Sequence, residues 1–524
     1  MANGKLFVLP CNPSLKPAVR LQPCGEKKSS FCNYPTIMTS IIATGLAGLG
    51  AFYMWRVNSA MKAVPKEAQK LSPHRWTVEE IKAAYEKSLE TPIDVTKSLP
   101  PKQSRRYVIV GGTGLVGAWI VSHLLARGED PKAIRILDLI SPEQDILNKG
   151  VGWIKTDITD ELAVTTAFEE PWAAKVTNVA LTVYHTAAII RPQDRLKSFL
   201  PLSSKINVDG TRNVLNAAKA AGATAFIWTS SGSMALHQPT FWIAPWATQP
   251  KRVVQVISDS TKLPESHYDF FGNYAVTKFE AEQLVRAADD PATNFRTGCI
   301  RPTNGVYGTG GQANNVITGF YLRNGGSPTW ARPILQSFVH AENVSIAHLL
   351  YEQRLIQQSE PGSKLPNTGG QAFVVSDPNP AIAFDDLYTL LTTLSKTPLS
   401  FPDVQPLPLL VMAYFVEIYA FLQYKYLSWF LPRLSRDIGK LQPSLFSIIN
   451  IHVFADDSRA KLAPEMGGLG YSPPLTTLDG LCRRLVDWNT KAEREAVEVM
   501  GKKMRLGPVE VSGDGVDVIP PRVL

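Results

Sequence analysis

Disulfide chemistry has little to work with in this chain. Its 524 residues contain five cysteines, Cys11, Cys24, Cys32, Cys299 and Cys482, with no Cys-x-x-Cys pair. An odd, unclustered set excludes an even disulfide framework and suggests a reducing compartment. There is no His-Glu-x-x-His and no clustered His/Cys spacing, so no metal is expected. Strong charge is also missing. The net +8 is modest for this length, and the basic residues are scattered or flank apolar segments. That points away from nucleic acid and towards a membrane surface. The length exceeds one minimal domain and allows a large core.

Charge is absent altogether from Thr36 to Trp55, TIMTSIIATGLAGLGAFYMW. Twenty such residues, if helical, span a hydrocarbon core. The run starts too deep for an ordinary signal peptide. Phe52, Tyr53 and Trp55, followed by Arg56, resemble an interfacial end. We therefore expect a polar tail over 1–35 and a transmembrane anchor over 36–56. A helical spacer and linker over 57–104 should follow, in which Thr77 and Glu80 form a capping-box pattern. A helix buried in a soluble core is the alternative to the anchor.

The stretch RRYVIVGGTGLVG, Arg105–Gly117, reads as strand, glycine turn and helix start. Gly111 permits the turn, Gly114 lets backbone approach a pyrophosphate, and Gly117 lets the helix pack closely. A helix N-terminus there attracts the anion. The next strand, Ala133–Leu137, ends at Asp138, 21 residues beyond Gly117, where an acid accepts hydrogen bonds from a ribose diol. A carboxylate repels a 2′-phosphate, and Leu139, Ile140 and Ser141 supply no cation, so NAD is favoured over NADP. Further strands over Val151–Lys155, Val179–Tyr184 and Ala223–Trp228 end in Asp157-Ile158-Thr159, His185-Thr186-Ala187-Ala188 and Thr229-Ser230-Ser231. Asn207-Val208-Asp209-Gly210-Thr211 is expected to open a helix. Alternating strands and helices with polar strand ends predict an α/β fold around a doubly wound parallel sheet.

Tyr274-Ala-Val-Thr-Lys278 puts a tyrosine and a lysine on one helix face. A neighbouring ammonium favours phenolate, which would let Tyr274 exchange a proton near neutral pH. Taken in order, GGTGLVG, Asp138, HTAA, NVDGT, TSS and YAVTK resemble the extended short-chain dehydrogenases/reductases. Ile300-Arg301-Pro302, Gly305-Val306-Tyr307-Gly308, Phe338–His348 and Ser458–Lys461 with Leu469-Gly470-Tyr471 are similar to the 3β-hydroxysteroid dehydrogenase group. That group includes sterol 4α-carboxylate 3-dehydrogenases (decarboxylating).

The resemblance implies a Rossmann domain over 105–302 and a smaller substrate domain over 303–504. It makes Tyr274 the acid/base, Lys278 its tuner and ribose ligand, Ser231 the donor to the reacting oxygen, and Asn207 a holder of a relay water. Ser233 competes with Ser231 for its role. Expected NAD contacts are Gly111, Thr113, Gly114, Leu115, Val116, Gly117, Asp138, Asp157, Ile158, Thr186, Ala187, Ala188, Tyr274 and Lys278. The implied reaction is oxidation of a 3β-hydroxyl on a sterol or triterpenoid, with loss of CO2 if a 4α-carboxylate is present. A Δ5 isomerisation would need a second acid/base pair, and none is recognisable in the sequence. Another extended reductase or epimerase acting on a different lipid is the alternative, and a non-catalytic nucleotide-binding protein a third.

His237–His267, with Trp242 and Trp246, reads as a substrate-side flap or a surface insertion. Leu407–Leu431 is aromatic and apolar but interrupted by Glu417, Gln423 and Lys425. An in-plane membrane helix accommodates those polar groups better than a spanning one, with a helix packed in the substrate domain as the alternative. Residues 505–524 read as a loose tail. The expected setting is the endoplasmic reticulum membrane with a cytosolic catalytic domain. A second copy of the chain or other sterol-processing enzymes are candidate partners.

Overall fold

A parallel strand covered by helices on both faces needs an unbroken apolar run, and Tyr107–Val110 is buried along its whole length. The computed structural model describes residues 34–310 and 318–505. In chain order the strands are β1 (Arg106–Val110), β2 (Ile134–Asp138), β3 (Gly152–Lys155), β4 (Leu181–His185) and β5 (Ala223–Thr229), then β6 (Val254–Ile257), β7 (Arg296–Pro302), β8 (Val306–Tyr307) and β9 (Leu335–Gln336), then β10 (Val339–His340), β11 (Gln371–Val375), β12 (Ile382–Ala383) and β13 (His452–Ala455).

Seven of them form one parallel sheet in the order β11-β7-β5-β4-β1-β2-β3. This is the doubly wound sheet expected. The order reverses at β1 and β4, which is where such sheets bind ligands. One face packs against helices Leu115–Ala126 and Ala341–Ser359, through Ile109, Ile120, Leu124, Val344 and Tyr351. The other packs against Glu161–Glu169, Thr211–Ala220 and Asn273–Ala287, through Val108, Val164, Val214 and Ala281. A four-stranded sheet, β12-β9-β13-β6, and the pair β8–β10 complete the strands.

Several expected boundaries are corrected. No single cut at 302/303 separates the Rossmann and substrate parts. Ala372–Val375, expected in the substrate domain, pairs in parallel with β7 in the large sheet, while Val254–Ile257 leaves to pair with β13. An apolar AFVV run is suited to a sheet buried on both sides, and the free edge of β7 receives it. Residues 57–104 are not a spacer. Val57, Met61, Ala68, Ile81 and Val95 are buried, Ser72 Oγ donates to Ala381 O, and Arg75 pairs with Asp386 at 2.8 Å. The capping box is present, with Thr77 N donating to Glu80 Oε2 at 2.8 Å and Glu80 N to Thr77 Oγ1 at 3.2 Å. Asn207–Thr211 does not open a helix. The helix starts at Leu200, widens into a π turn over Lys205–Gly210 and continues over Thr211–Ala220. The wide turn brings Gly210 onto Ile158, where a Cβ would come within 2.7 Å of the isoleucine side chain.

The chain divides after Trp55 into two compact units. The first holds most of the helix Tyr34–Lys62, which begins before the expected anchor and ends after it. Within it Ile41, Leu46, Leu49, Phe52 and Trp55 are all exposed. The second begins at Arg56, whose guanidinium donates to Ala247 O at 2.8 Å and to Pro245 O. The expected tails 1–35 and 505–524 fall outside the described residues apart from Tyr34, Pro35 and Arg505, which are helical. Cys299 and Cys482 are buried free thiols.

Gly298 in β7 tests the packing of this sheet. Its missing side chain makes room for the Tyr351 ring, which is pinned by donation to Thr368 O at 2.6 Å and Gln371 O at 3.0 Å. Gly298→Ala should cost about 1–3 kcal/mol by overpacking, read as a lower midpoint in thermal unfolding followed by circular dichroism.

Candidate active site

At the reversal point, Thr186 N and Ala187 N both donate to Val110 O, at 2.8 and 3.1 Å. Gly111 takes φ +83°, and a Cβ there would meet Ala187 N at 2.6 Å. Only glycine combines that backbone conformation with so close an approach. Gly114 precedes the helix Leu115–Ala126, and a Cβ at Gly117 would collide with Gly111 O. Asp138 sits beside this turn, accepting from Thr113 N at 3.1 Å.

A cleft of about 610 Å³ opens here. Gly111, Thr113, Gly114, Asp138, Asp157, Ile158, Thr186, Ala187 and Ala188, all expected, line it. Leu115, Val116 and Gly117 do not, and neither do Tyr274 and Lys278, the other two expected contacts. Leu115 is buried, Val116 packs on the core beneath the sheet, and Gly117 lies against the turn itself. Sequence reasoning missed Leu139, Ile140, Thr156, Ile189, Lys205 and Ile206, which also line the cleft. Leu139 and Ile140 had a visible signal, since two apolar residues follow the strand-end aspartate. Lys205 and Ile206 reach the cleft through the π turn, which no local pattern announces. Glycines where backbone must approach an anion, a carboxylate at the ribose position and apolar walls fit a dinucleotide.

The second cluster lies at the end of β5, next to β4. Tyr274 and Lys278 sit in the helix Asn273–Ala287, with the Ser231 side chain beside the Tyr274 phenol. Ser231 Oγ is 2.7 Å from Ser233 Oγ, so the two candidate serines act as a pair. Lys278 Nζ donates to Thr229 O at 2.8 Å and lies 4.3 Å above the Trp228 ring. Glu282, one further turn along, accepts from Ser230 Oγ at 2.6 Å and from Arg301 Nε at 2.9 Å.

Burial pushes the Lys278 ammonium down to about 7, while Cys299 and Glu282 pull the other way. Burial raises the Tyr274 phenol, and only the Ser231 hydrogen bond lowers it. This corrects the expected effect of Lys278. Its amine is engaged by Thr229 and Trp228, so it does not by itself make Tyr274 acidic.

Asn207 lies between the cleft and this cluster. Its Oδ1 accepts from Ile189 N at 2.8 Å, and its Nδ2 donates to Ile189 O at 3.1 Å and Thr277 Oγ1 at 3.0 Å. The side chain therefore ties the cleft wall to the Tyr274 helix and keeps one lone pair of Oδ1 unused. The residue missed here is His185. It is fully buried, held by burial and by Lys278 down to about 3, and its Nε2 lies 3.0 Å from Thr211 Oγ1. The His237–His267 flap is likewise corrected, because β6 inside it is paired in the four-stranded sheet. Trp246 is exposed.

Residues 108–400 match the 3-beta hydroxysteroid dehydrogenase/isomerase family, and the chain belongs to it. It is 26% identical over 405 residues to 3beta-hydroxysteroid-dehydrogenase/decarboxylase isoform 2 of Arabidopsis thaliana, covering 72% of this chain and 61% of that one. It is 27% identical over 302 residues to the decarboxylating sterol-4-alpha-carboxylate 3-dehydrogenase of Homo sapiens, covering 56% and 68%. Among solved structures it is similar to MoeE5 in complex with UDP-glucose and NAD, with a TM-score of 0.49 at 16% identity, covering 74% of this chain and 99% of that one.

The Lys278 shift has a measurable sign. The unfolded chain holds this proton up to about 10.5, whereas the folded protein releases it near 7. Between those values the unfolded state binds more protons, so this group's contribution to stability rises with pH. Unfolding midpoints of wild type and Lys278→Met should be compared from pH 7 to 10. The wild-type value should gain on the variant as pH rises, and a constant difference would contradict a depressed lysine.

Proposed function

We propose that the protein is a membrane-bound, NAD-dependent 3β-hydroxysteroid dehydrogenase, acting on a 4α-carboxysterol or related triterpenoid acid that then loses CO2. The observation that carries this reading is the placing of the Ser231–Ser233 hydroxyl pair beside Tyr274, with Lys278 one turn away, at the strand end neighbouring the glycine cleft. A protein that only bound nucleotides would have no use for this set.

NAD would lie against Gly111–Gly114, Asp138, Asp157–Ile158 and Thr186–Ala188, and when bound it supplies the hydride acceptor and a pyridinium charge. Ser231 holds the substrate oxygen by hydrogen bond. Tyr274, kept neutral at rest by burial, gains acidity beside an added cation, and as phenolate it takes the hydroxyl proton. The carbinol C–H leaves as hydride, and the product is a ketone. Lys278, buried and titrating near 7, is suited to pass that proton on. Thr277 and Asn207 fix the helix turn that carries Tyr274. With a carboxylate on the adjacent carbon, the ketone is a β-keto acid. Its C–C bond then cleaves with the electron pair moving into an enolate, which is reprotonated on carbon, without a further protein group.

The charge-free run before Trp55 is proposed as a transmembrane anchor in the endoplasmic reticulum, with the catalytic domain cytosolic. The helix Pro406–Lys425, mean hydropathy 1.5, is proposed to lie in the membrane plane. Met412, Phe415, Ile418 and Leu422 form an exposed apolar stripe on it, and Leu407, Leu410 and Ala413 are buried.

Purified full-length protein with NAD and 3β-hydroxysterols, with and without a 4α-carboxylate, should produce NADH, and CO2 only from the acids. Tyr274→Phe should lower turnover about 10²–10⁴-fold, and undiminished turnover would refute the mechanism. Asp138→Ala should raise the use of NADP relative to NAD. Release of the protein by carbonate without detergent would refute the anchor.

A further inference from the structure

One strip of chain serves both halves of the site. Ile189, Lys205 and Ile206 line the cofactor cleft, and between them Arg191, Gln193, Asp194, Phe199 and Leu202 line a different groove of about 490 Å³. That volume is within the range of lipid-sized ligand sites. The strip also holds the start of the catalytic helix, for Asp194 O accepts from Asn273 N at 2.7 Å and Leu196 O from Asn273 Nδ2 at 2.9 Å. Leu200 packs in the cluster that contains Tyr274, while its neighbours Phe199 and Leu202 face the groove. A single helical turn thus separates the groove from the catalytic tyrosine.

The far wall is the helix Pro406–Lys425, which presents Tyr419, Ala420, Gln423 and Tyr424 to the groove. This wall is tied to the strip by two contacts. Arg195 grips Glu417 through two hydrogen bonds of 2.7 Å each, and the Phe199 and Tyr424 rings lie 5.1 Å apart. The helix has a third, exposed face of large apolar residues, of the kind that marks an interaction surface. It continues into Trp429 and Phe430, both exposed. The groove therefore opens beside a lipid-like surface. Arg433 lines it as well, supplying positive charge complementary to an acid.

We propose that this groove is a binding site for a sterol-type carboxylic acid arriving from the bilayer, an antechamber from which the ligand passes to Tyr274. The apolar rings of the ligand lie between Phe199, Leu202, Ala420 and Tyr424, and its acid faces Arg433. The inference rests on the sterol reading above and adds a second place where the ligand is held.

The test uses the full chain in lipid nanodiscs and a diazirine-bearing 3β-hydroxysterol 4α-carboxylate. Illumination without NAD should place adducts on Phe199, Leu202, Tyr419 or Tyr424, read by peptide mass spectrometry. Ala420→Trp should fill the groove, abolish those adducts and raise KM for the sterol acid about fivefold or more, with NADH binding and the thermal midpoint unchanged. Leu162→Trp, an exposed position elsewhere, serves as the size-matched control. Adducts confined to other surfaces, or an unaltered KM in Ala420→Trp, would overturn the proposal. Absence of turnover in wild type together with labelled groove residues would refute the dehydrogenase reading and leave the groove assignment standing.

Discussion

The carbonyl of Val110 is the point on which this structure turns. It ends β1, and it receives the amides of both Thr186 and Ala187 where β4 ends. That double donation draws two parallel strands together at the place where the sheet order reverses. Only Gly111, with its positive φ and no side chain, lets the following turn pass so close. The cleft exists because the two strand ends are held together while their outgoing chains diverge. A bulkier residue at Gly111 would disturb more than a ligand contact, since it would push apart the two strands that every other site residue is measured from.

The helix Asn273–Ala287 shows how a fold keeps charge inside itself. Tyr274, Lys278 and Glu282 follow each other at four-residue spacing and so share one face, and all three are buried. An isolated buried carboxylate is costly, and Arg301 from β7 meets Glu282 at 2.9 Å. Lys278 is left with a backbone carbonyl and an indole face, a weak set of partners for a full ammonium, and this is why it titrates so far below its ordinary value. The helix carries a neutral phenol and an amine that titrates near 7, and a cation bound beside them shifts both. A site with a firmly charged lysine would be less responsive to what binds beside it.

The features legible in the sequence are those whose physics is local. Glycine spacing, an acid at a strand end, a capping box and two side chains four residues apart each depend on a few neighbours, and each is where it was expected. The direction of the Tyr274 shift was not legible, because burial comes in part from Met234, Ile257 and Val453 on other segments. Nor was the place of Ala372–Val375. Its apolar run identifies a buried strand, but the edge it joins lies 73 residues upstream. Residues 57–104 looked like a spacer because their apolar positions are sparse. Met61 and Ile81 are nevertheless enclosed, since single residues are enough when the partner surface is already built.

Glu417 illustrates how a local reading can be right in kind and incomplete in consequence. A carboxylate within an apolar helix argues against burial in the middle of a bilayer, and that favoured a helix lying flat. In the fold the same carboxylate has a second effect. It takes both donors of Arg195, and Asp194, the preceding residue, accepts from the first residue of the catalytic helix. A bidentate arginine–carboxylate pair is geometrically exacting, so the apolar helix and the catalytic helix are held in register through three residues. For the proposed sterol substrate, this coupling fixes the apolar helix relative to Tyr274. The polar interruption that weakens the helix as a membrane span is what joins it to the chemistry.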